Sequence, residues 1–302
     1  GTVDVVSVVR ADNPGVVTDI ARVPHLEGFT STGAVSPDGT QVALVTVDAG
    51  SATRPGASLI FVNLETGQLF RGAIDVEPMQ TPIWEPDGGA AVVTRATPAG
   101  IDVLSVTLSA EESLLSSHTG VLGVYPLGFD PDGALLQVVI DGRGSTVQKA
   151  GSDYVHLGAF ITRDWALSSD RSQLAYIEVN TEGGLAYLAR TAALGGAANV
   201  QAQALALDLS ALGVAWNPTS GTAEYGVEPQ AGVAIQALSA GAAAAFGFDV
   251  PLAYSEDGEV LAVTHWSGES FEDPGESKIV LVTDEGRSAI GGGARFLGWS
   301  AR

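Results

Sequence analysis

Val35-Ser36-Pro37-Asp38-Gly39, followed after Thr40 by the β-rich run QVALVTV at 41–47, is the stretch that decides the fold. Proline presets φ at the first corner of a tight turn, the aspartate bonds back to the backbone, and glycine accepts the positive φ that closes it. The alternating and β-branched residues that follow suit a strand. Related copies recur along the chain. Trp84-Glu85-Pro86-Asp87-Gly88 precedes AAVVT, and Phe129-Asp130-Pro131-Asp132-Gly133 precedes LLQVVI. Leu167-Ser168-Ser169-Asp170-Arg171 precedes QLAYIEV, and Trp216-Asn217-Pro218-Thr219-Ser220-Gly221 precedes AEYGV. Tyr254-Ser255-Glu256-Asp257-Gly258 precedes VLAVTHW, and a seventh copy stops at Trp299-Ser300.

The residues opening these copies, Val35, Trp84, Phe129, Leu167, Trp216, Tyr254 and Trp299, lie 38 to 49 residues apart. A blade of four strands uses about 40–50 residues, so the period predicts a β-propeller. The expectation is one all-β domain over residues 1–302, with seven blades of four antiparallel strands. Each Pro-Asp-Gly turn joins a blade's innermost strand to the next one out, and the opening residue is a wedge between neighbouring blades. The runs 3–10 and 16–23, around Asp12-Asn13-Pro14-Gly15, read as the outer hairpin of a blade whose inner strand is 295–299. The ring would then close by pairing the N-terminal strands with the C-terminal strand, hiding sheet edges. Only near 109–115 does the pattern suggest a short helical turn.

Composition bounds the function. The 302 residues are 45% hydrophobic and only 16% charged, with no apolar run that reaches the ~18 residues of a membrane helix. Fourteen Lys and Arg stand against 35 Asp and Glu, a formal net charge of −21. That field repels phosphate backbones and anionic lipid surfaces, so neither nucleic-acid binding nor membrane insertion is expected. It fits a basic partner, and it equally serves solubility. With no cysteine, disulfides, thiolate metal sites and thiol nucleophiles are excluded. Arg in preference to Lys, with abundant Ala, Gly and Val, suggests a bacterial source. The opening Gly1-Thr2-Val3, without a methionine, is expected of a processed or trimmed chain.

SPDGTQVALVT and SEDGEVLAVTHW resemble the WD40-like repeat of the TolB propellers, also called PD40, and the resemblance runs from about Phe29 to the end. A weaker similarity is to the propeller of LpqB-type envelope lipoproteins. The resemblance implies an extracytoplasmic, cell-envelope setting and a docking role. TolB has six blades and an extra N-terminal domain, where this chain has seven copies and no such domain. The Gly-His and Trp-Asp pairs of true WD40 repeats are absent.

No catalytic constellation emerges. Gly298-Trp299-Ser300-Ala301-Arg302 lacks the second glycine of a nucleophile elbow, and Gly291-Gly292-Gly293 reads as a turn rather than a phosphate cradle. The four histidines, His25, His118, His156 and His265, show no ligand spacing; clustering of the first three at one face is weighed against isolated loop positions. Asp141-Gly142-Arg143-Gly144-Ser145 reads as a hairpin turn, not a calcium loop. The repeat carboxylates Asp38, Asp87, Asp132, Asp170 and Asp257 read as turn formers spread around one face. No catalytic residue, metal or cofactor is assigned.

One segment breaks the repeat: the connection from His265 to Glu276, far longer than the corresponding connection in most blades. Residues 48–56 form a milder extension. Long loops on a rigid scaffold carry function disproportionately. The candidate partner-binding residues are therefore His265, Trp266, Glu269, Phe271, Glu272 and Asp273, with Asp48 and Arg54 secondary. Trp266 and Phe271 would supply burial and the carboxylates would steer a basic partner; the alternative is that both rings fold back onto the blade. The functional expectation is a non-enzymatic, monomeric propeller that binds a protein or peptide. The alternatives are a lactonase- or glycosidase-like hydrolase working at the channel mouth, and a structural accessory domain of a larger chain.

Overall fold

The computed structural model describes residues 2–48, 56–182, 186–195, 200–202, 210–227 and 246–300. It is an all-β propeller. Five antiparallel sheets of four strands run in simple meander order. The first holds β3 (Thr32–Val35), β4 (Gln41–Val47), β5 (Ala57–Asn63) and β6 (Leu69–Val76). The second holds β7 (Ile83–Trp84), β8 (Ala90–Thr97), β9 (Gly100–Thr107) and β10 (Glu112–His118). The third holds β11 (Gly123–Phe129), β12 (Leu135–Asp141), β13 (Gly144–Lys149) and β14 (Ser152–Gly158). The fourth holds β15 (Ile161–Leu167), β16 (Gln173–Asn180), β17 (Ala186–Ala193) and β18 (Val200–Ala202). After the two-stranded pair β19 (Ala211–Asn217) and β20 (Thr222–Val227) comes the fifth, with β21 (Phe248–Tyr254), β22 (Leu261–Trp266), β23 (Ser277–Thr283) and β24 (Gly286–Gly292). At the other end, among the described residues, β1 (Thr2–Arg10) pairs with β2 (Asn13–His25) alone.

Seven blades of four strands are thus corrected to five four-stranded sheets and two hairpins among the described residues. The expected closing ladder is also not formed. Residues 294–300 form no strand, and among the described residues their one backbone bond runs to the first sheet, where Val35 N–H donates to Leu297 O at 3.2 Å. Gly298 has φ 143°, and a Cβ there would stand 3.1 Å from Val35 Cγ2. The stretch 109–115 is not helical: Ala110, at φ 64°, turns the chain from β9 into β10.

The repeat chemistry is local and visible at each turn. Ser36 Oγ donates to Asp38 Oδ1 (2.6 Å), which also accepts from Thr40 N–H, while Gln41 N–H returns to Ser36 Oγ. The same circuit forms at Ser168, Asp170 and Gln173, and at Ser255, Asp257 and Val260. Arg171 takes the glycine position of its turn at φ 61°. In the third copy Asp130 takes over, accepting from the Asp132 and Ala134 amides and pairing with Lys149.

These bonds favour ionised carboxylates. Asp38, Asp170 and Asp257 are held below the ordinary range, first by the serine hydroxyl and then by the backbone N–H two residues on. A depressed folded value stabilises above the unfolded value and is lost as pH falls through the folded one. The contribution of these turns should be constant at neutral pH and fade below about pH 4. Urea midpoints measured from pH 7 to pH 2 should therefore fall less steeply in the acid limb for D38N/D170N/D257N than for the parent; parallel curves would remove the turns from the acid response.

Indoles tie the sheets together. Trp84 Nε1 donates to Ala34 O at 2.9 Å and Trp216 Nε1 to Ala166 O at 2.6 Å. Trp299 Nε1 makes the corresponding bond to Ala253 O at 3.3 Å. Each tryptophan reaches the residue just before the preceding copy's opening residue. Two phenols cross between sheets in the same way, Tyr176 Oη to Leu157 O (3.0 Å) and Tyr225 Oη to Arg190 O (2.7 Å). Burial pushes both phenols above their ordinary range, so they remain donors.

Candidate functional site

The β22–β23 connection is an ordered loop. Its neck is closed by Ser267 N–H donating to Glu276 O (3.0 Å) and Gly268 N–H to Pro274 O (2.7 Å). Glu276 N–H returns to Ser267 Oγ (2.9 Å), and Asp273 N–H donates to Ser270 Oγ (3.1 Å). A Cβ on Gly268 would lie 2.0 Å from Asp273 O, so the two limbs approach more closely than any side chain allows.

The six principal candidates share this loop and its first strand, but they divide by environment. Glu269, Glu272 and Asp273 are exposed. Phe271 is half-buried, its ring 5.2 Å from that of Phe248 at 57°, so this ring folds back onto the sheet. Trp266 is also half-buried. His265 is occupied internally: its Nδ1 lies 2.9 Å from Asp249 Oδ1, with side chains 12% and 11% exposed, and Arg287 Nη2 reaches the same oxygen at 2.6 Å. Asp48 belongs to another sheet. It accepts from Arg71 Nη2 (3.2 Å) and from the Ser58 hydroxyl. Arg54 lies outside the described residues.

Sequence reasoning missed Phe246, which is 81% exposed just ahead of β21. Gly247, at φ 75°, carries it past the loop neck so closely that a Cβ there would stand 1.9 Å from Trp266 O. The Gly247 backbone is thereby placed beside Trp266 and Ser267, one residue after Phe246. The Ala- and Gly-rich stretch before it gave no signal of a strand end, though Phe-Gly ahead of an apolar run was available as one. The loop and its first strand thus present two half-buried rings, Trp266 and Phe271, and three exposed carboxylates.

The remaining histidines are not brought together. His25 Nε2 stands 3.2 Å from Asp4 Oδ1, His118 Nε2 lies 2.9 Å from Gln137 Nε2, and His156 Nδ1 lies 3.2 Å from Thr146 Oγ1. Burial holds His118 below the ordinary imidazole range. Among the described residues no three His, Asp or Glu side chains are grouped to hold a metal ion, and no helix is long and apolar enough to cross a membrane.

This architecture defines a β-propeller, and the comparisons with known proteins agree. No family model and no curated protein matches the chain. Solved structures do. TolB from Acinetobacter baumannii superposes with a TM-score of 0.55 at 13% identity, over 94% of this chain and 58% of that one. Oligogalacturonate lyase from Vibrio parahaemolyticus gives 0.66 at 11% identity, over 98% and 86%. Prolyl oligopeptidase B from Galerina marginata gives 0.60 at 12% identity, over 93% of this chain and 45% of that one. The chain thus spans little more than half of the Acinetobacter TolB and less than half of the oligopeptidase. At such identities the likeness shows the fold alone: a β-propeller, found in TolB and in enzymes alike.

Proposed function

We propose that the chain is a binding propeller that holds a basic peptide or protein segment on the face carrying residues 267–276. The observation that carries this reading is the braced loop itself, which holds Glu269, Glu272 and Asp273 exposed on a backbone closed by its own hydrogen bonds. A loop already closed by its own hydrogen bonds loses little freedom on binding. The net charge of −21 adds long-range attraction for a cationic partner. Phe246 supplies exposed apolar area, and Phe271 and Trp266 shape the floor. His265 serves the site by its bond to Asp249 rather than by touching the partner. The resemblance of the repeat to that of TolB supports an extracytoplasmic, envelope setting, and the non-enzymatic reading rests on the sequence, which offers no catalytic constellation.

The test uses fluorescein-labelled peptides of alternating Arg and Leu, with a Glu/Leu peptide as control. The Arg/Leu peptide should bind, and E269Q/E272Q/D273N should weaken it at least tenfold, about 1.4 kcal/mol. Affinity should also fall steeply as salt shortens the screening length from about 10 Å at 0.1 M. Equal binding by the triple variant and by Phe246→Ala would remove the site.

A further inference from the structure

His25 ends β2 with its side chain 5% exposed. Its Nδ1 lies 2.9 Å from Leu26 O. A carbonyl oxygen only accepts, so Nδ1 carries the proton, and in the neutral ring Nε2 keeps a lone pair. Leu26 N–H in turn donates to Val47 O at 2.8 Å, which fixes the ring's neighbour against the first sheet. Nε2 stands 3.2 Å from Asp4 Oδ1, yet no hydrogen bond joins them, because the oxygen lies off the direction in which the nitrogen bonds. A lone pair facing a carboxylate oxygen is repulsive. A proton on Nε2 would leave a buried N–H with no acceptor in line, which is costly. Either way the nitrogen lacks a partner.

Two hydroxyls nearby lack one too. Among the described residues five buried side-chain atoms find no hydrogen-bond partner, and three of them are His25 Nε2, Ser31 Oγ and Thr46 Oγ1. Ser31 N–H donates to Asp4 Oδ2 at 3.0 Å. Thr32 pairs with Val45, so the same ladder extended by one brings Ser31 level with Thr46. Alternation puts Thr46 on the face of β4 that carries Val42 and Leu44, and those pack against Val6, Ala21 and Val23 of the hairpin. The unpartnered atoms therefore share one seam, between the N-terminal hairpin and the first sheet. Buried polar groups are nearly always bonded, so three in one seam mark a missing partner.

We propose that Asp4 Oδ1 and His25 Nε2 are two ligands of a structural metal site that takes a divalent ion of the Zn²⁺ class. Bonds of about 2.0–2.1 Å to two atoms 3.2 Å apart enclose about 100–105°, near the tetrahedral angle. The outer groups are already in place: a ligating imidazole donates its other N–H to a carbonyl, and a ligating carboxylate is itself hydrogen-bonded. Leu26 O and Ser31 N–H do this here. An imidazole beside a carboxylate suits Zn²⁺ rather than Ca²⁺ or Mg²⁺, which take oxygen alone. The Ser31 and Thr46 hydroxyls are the oxygens at hand to complete the shell, with water on the side of Asp4, whose side chain is 35% exposed. The ion would clasp β1, β2 and the lead into β3 together. This site is separate from the 267–276 loop and does not depend on it.

The test is titration of the whole chain, first stripped with EDTA, with Zn²⁺ by calorimetry. One ion should bind per chain. At a hundred times its dissociation constant the ion should raise the melting temperature by roughly 5–10 °C. Asp4→Asn, isosteric and at a partly exposed position, should weaken binding at least tenfold with the circular dichroism spectrum retained, and His25→Ala should do the same or worse. His156→Gln, at an exposed histidine, should bind as the parent does. Nitrogen NMR of the His25 ring should show Nε2 unprotonated and shifted by Zn²⁺. The proposal is overturned if no saturable binding occurs, or if Asp4→Asn binds as tightly as the parent. It is equally overturned if both ring nitrogens of His25 carry protons at neutral pH and Zn²⁺ leaves them unchanged, since a proton then fills the place.

Discussion

Trp84→Ala should cost about 3–5 kcal/mol of folding stability, the range for removing a buried aromatic. The ring is 8% exposed and lies 5.5 Å from Phe61, in a core shared with Val45, Leu59, Ala91 and Leu104. It therefore joins the first two four-stranded sheets rather than filling one of them. Truncation opens a void between sheets that are each held rigid by their own ladders, so collapse recovers little. The indole bond to Ala34 O is lost as well, leaving a carbonyl without its donor. For a chain of this size each kcal/mol moves the melting temperature by roughly 2–4 °C, so calorimetry should show a fall of roughly 6–20 °C. Trp84→Phe keeps most of the apolar area and loses the bond, and should cost about 1–2 kcal/mol. A loss below about 1 kcal/mol for the alanine would mean that the tryptophan is not the wedge its position implies.

Phe248→Ala should cost a similar amount, about 3–5 kcal/mol, and should also loosen the candidate site. Phe248 is among the largest fully buried side chains, and it carries the ring of Phe271. Without it, Phe271 loses the surface that anchors the middle of the loop. The neck bonds from Ser267 and Gly268 then close a loop with nothing beneath it. Hydrogen exchange should report this directly: the Ser267 and Gly268 amides should exchange at least tenfold faster in Phe248→Ala, at temperatures where the sheets stay folded. Phe271→Ala should speed the same amides with a smaller loss of stability, because that ring is only half-buried. Unchanged exchange in both variants would show that the loop is braced by its backbone alone.

The two effects differ in what they say about legibility. Trp84 was marked as a wedge by its place in the repeat, because a residue that opens each copy before Pro-Asp-Gly ends an inner strand facing the next sheet. Phe271 was legible only as an aromatic residue in a long acidic loop. Whether its ring faced solvent or the sheet turned on Phe248, more than twenty residues away. His265 shows the same limit: its neighbours in sequence gave no hint that Asp249, sixteen residues back, would engage it.

The sequence by itself determined the strand-and-turn alphabet of this protein. Short polar side chains, with flanking serines at Ser36, Ser168 and Ser255, set these turns through bonds spanning two to five residues, and the β-branched runs set the strands between them. Such contacts are local, so a period of 38 to 49 residues could be read directly as a propeller. Tertiary structure alone decided how many strands each sheet gathers among the described residues, and that Leu297 bonds Val35 while residues 294–300 form no closing ladder. Those outcomes depend on which backbone groups meet across tens or hundreds of residues. Ser300 Oγ donating to Gly39 O across 261 positions is the extreme case. A hydrogen-bonding edge is satisfied by whichever strand the three-dimensional arrangement brings to it, and no local pattern specifies that.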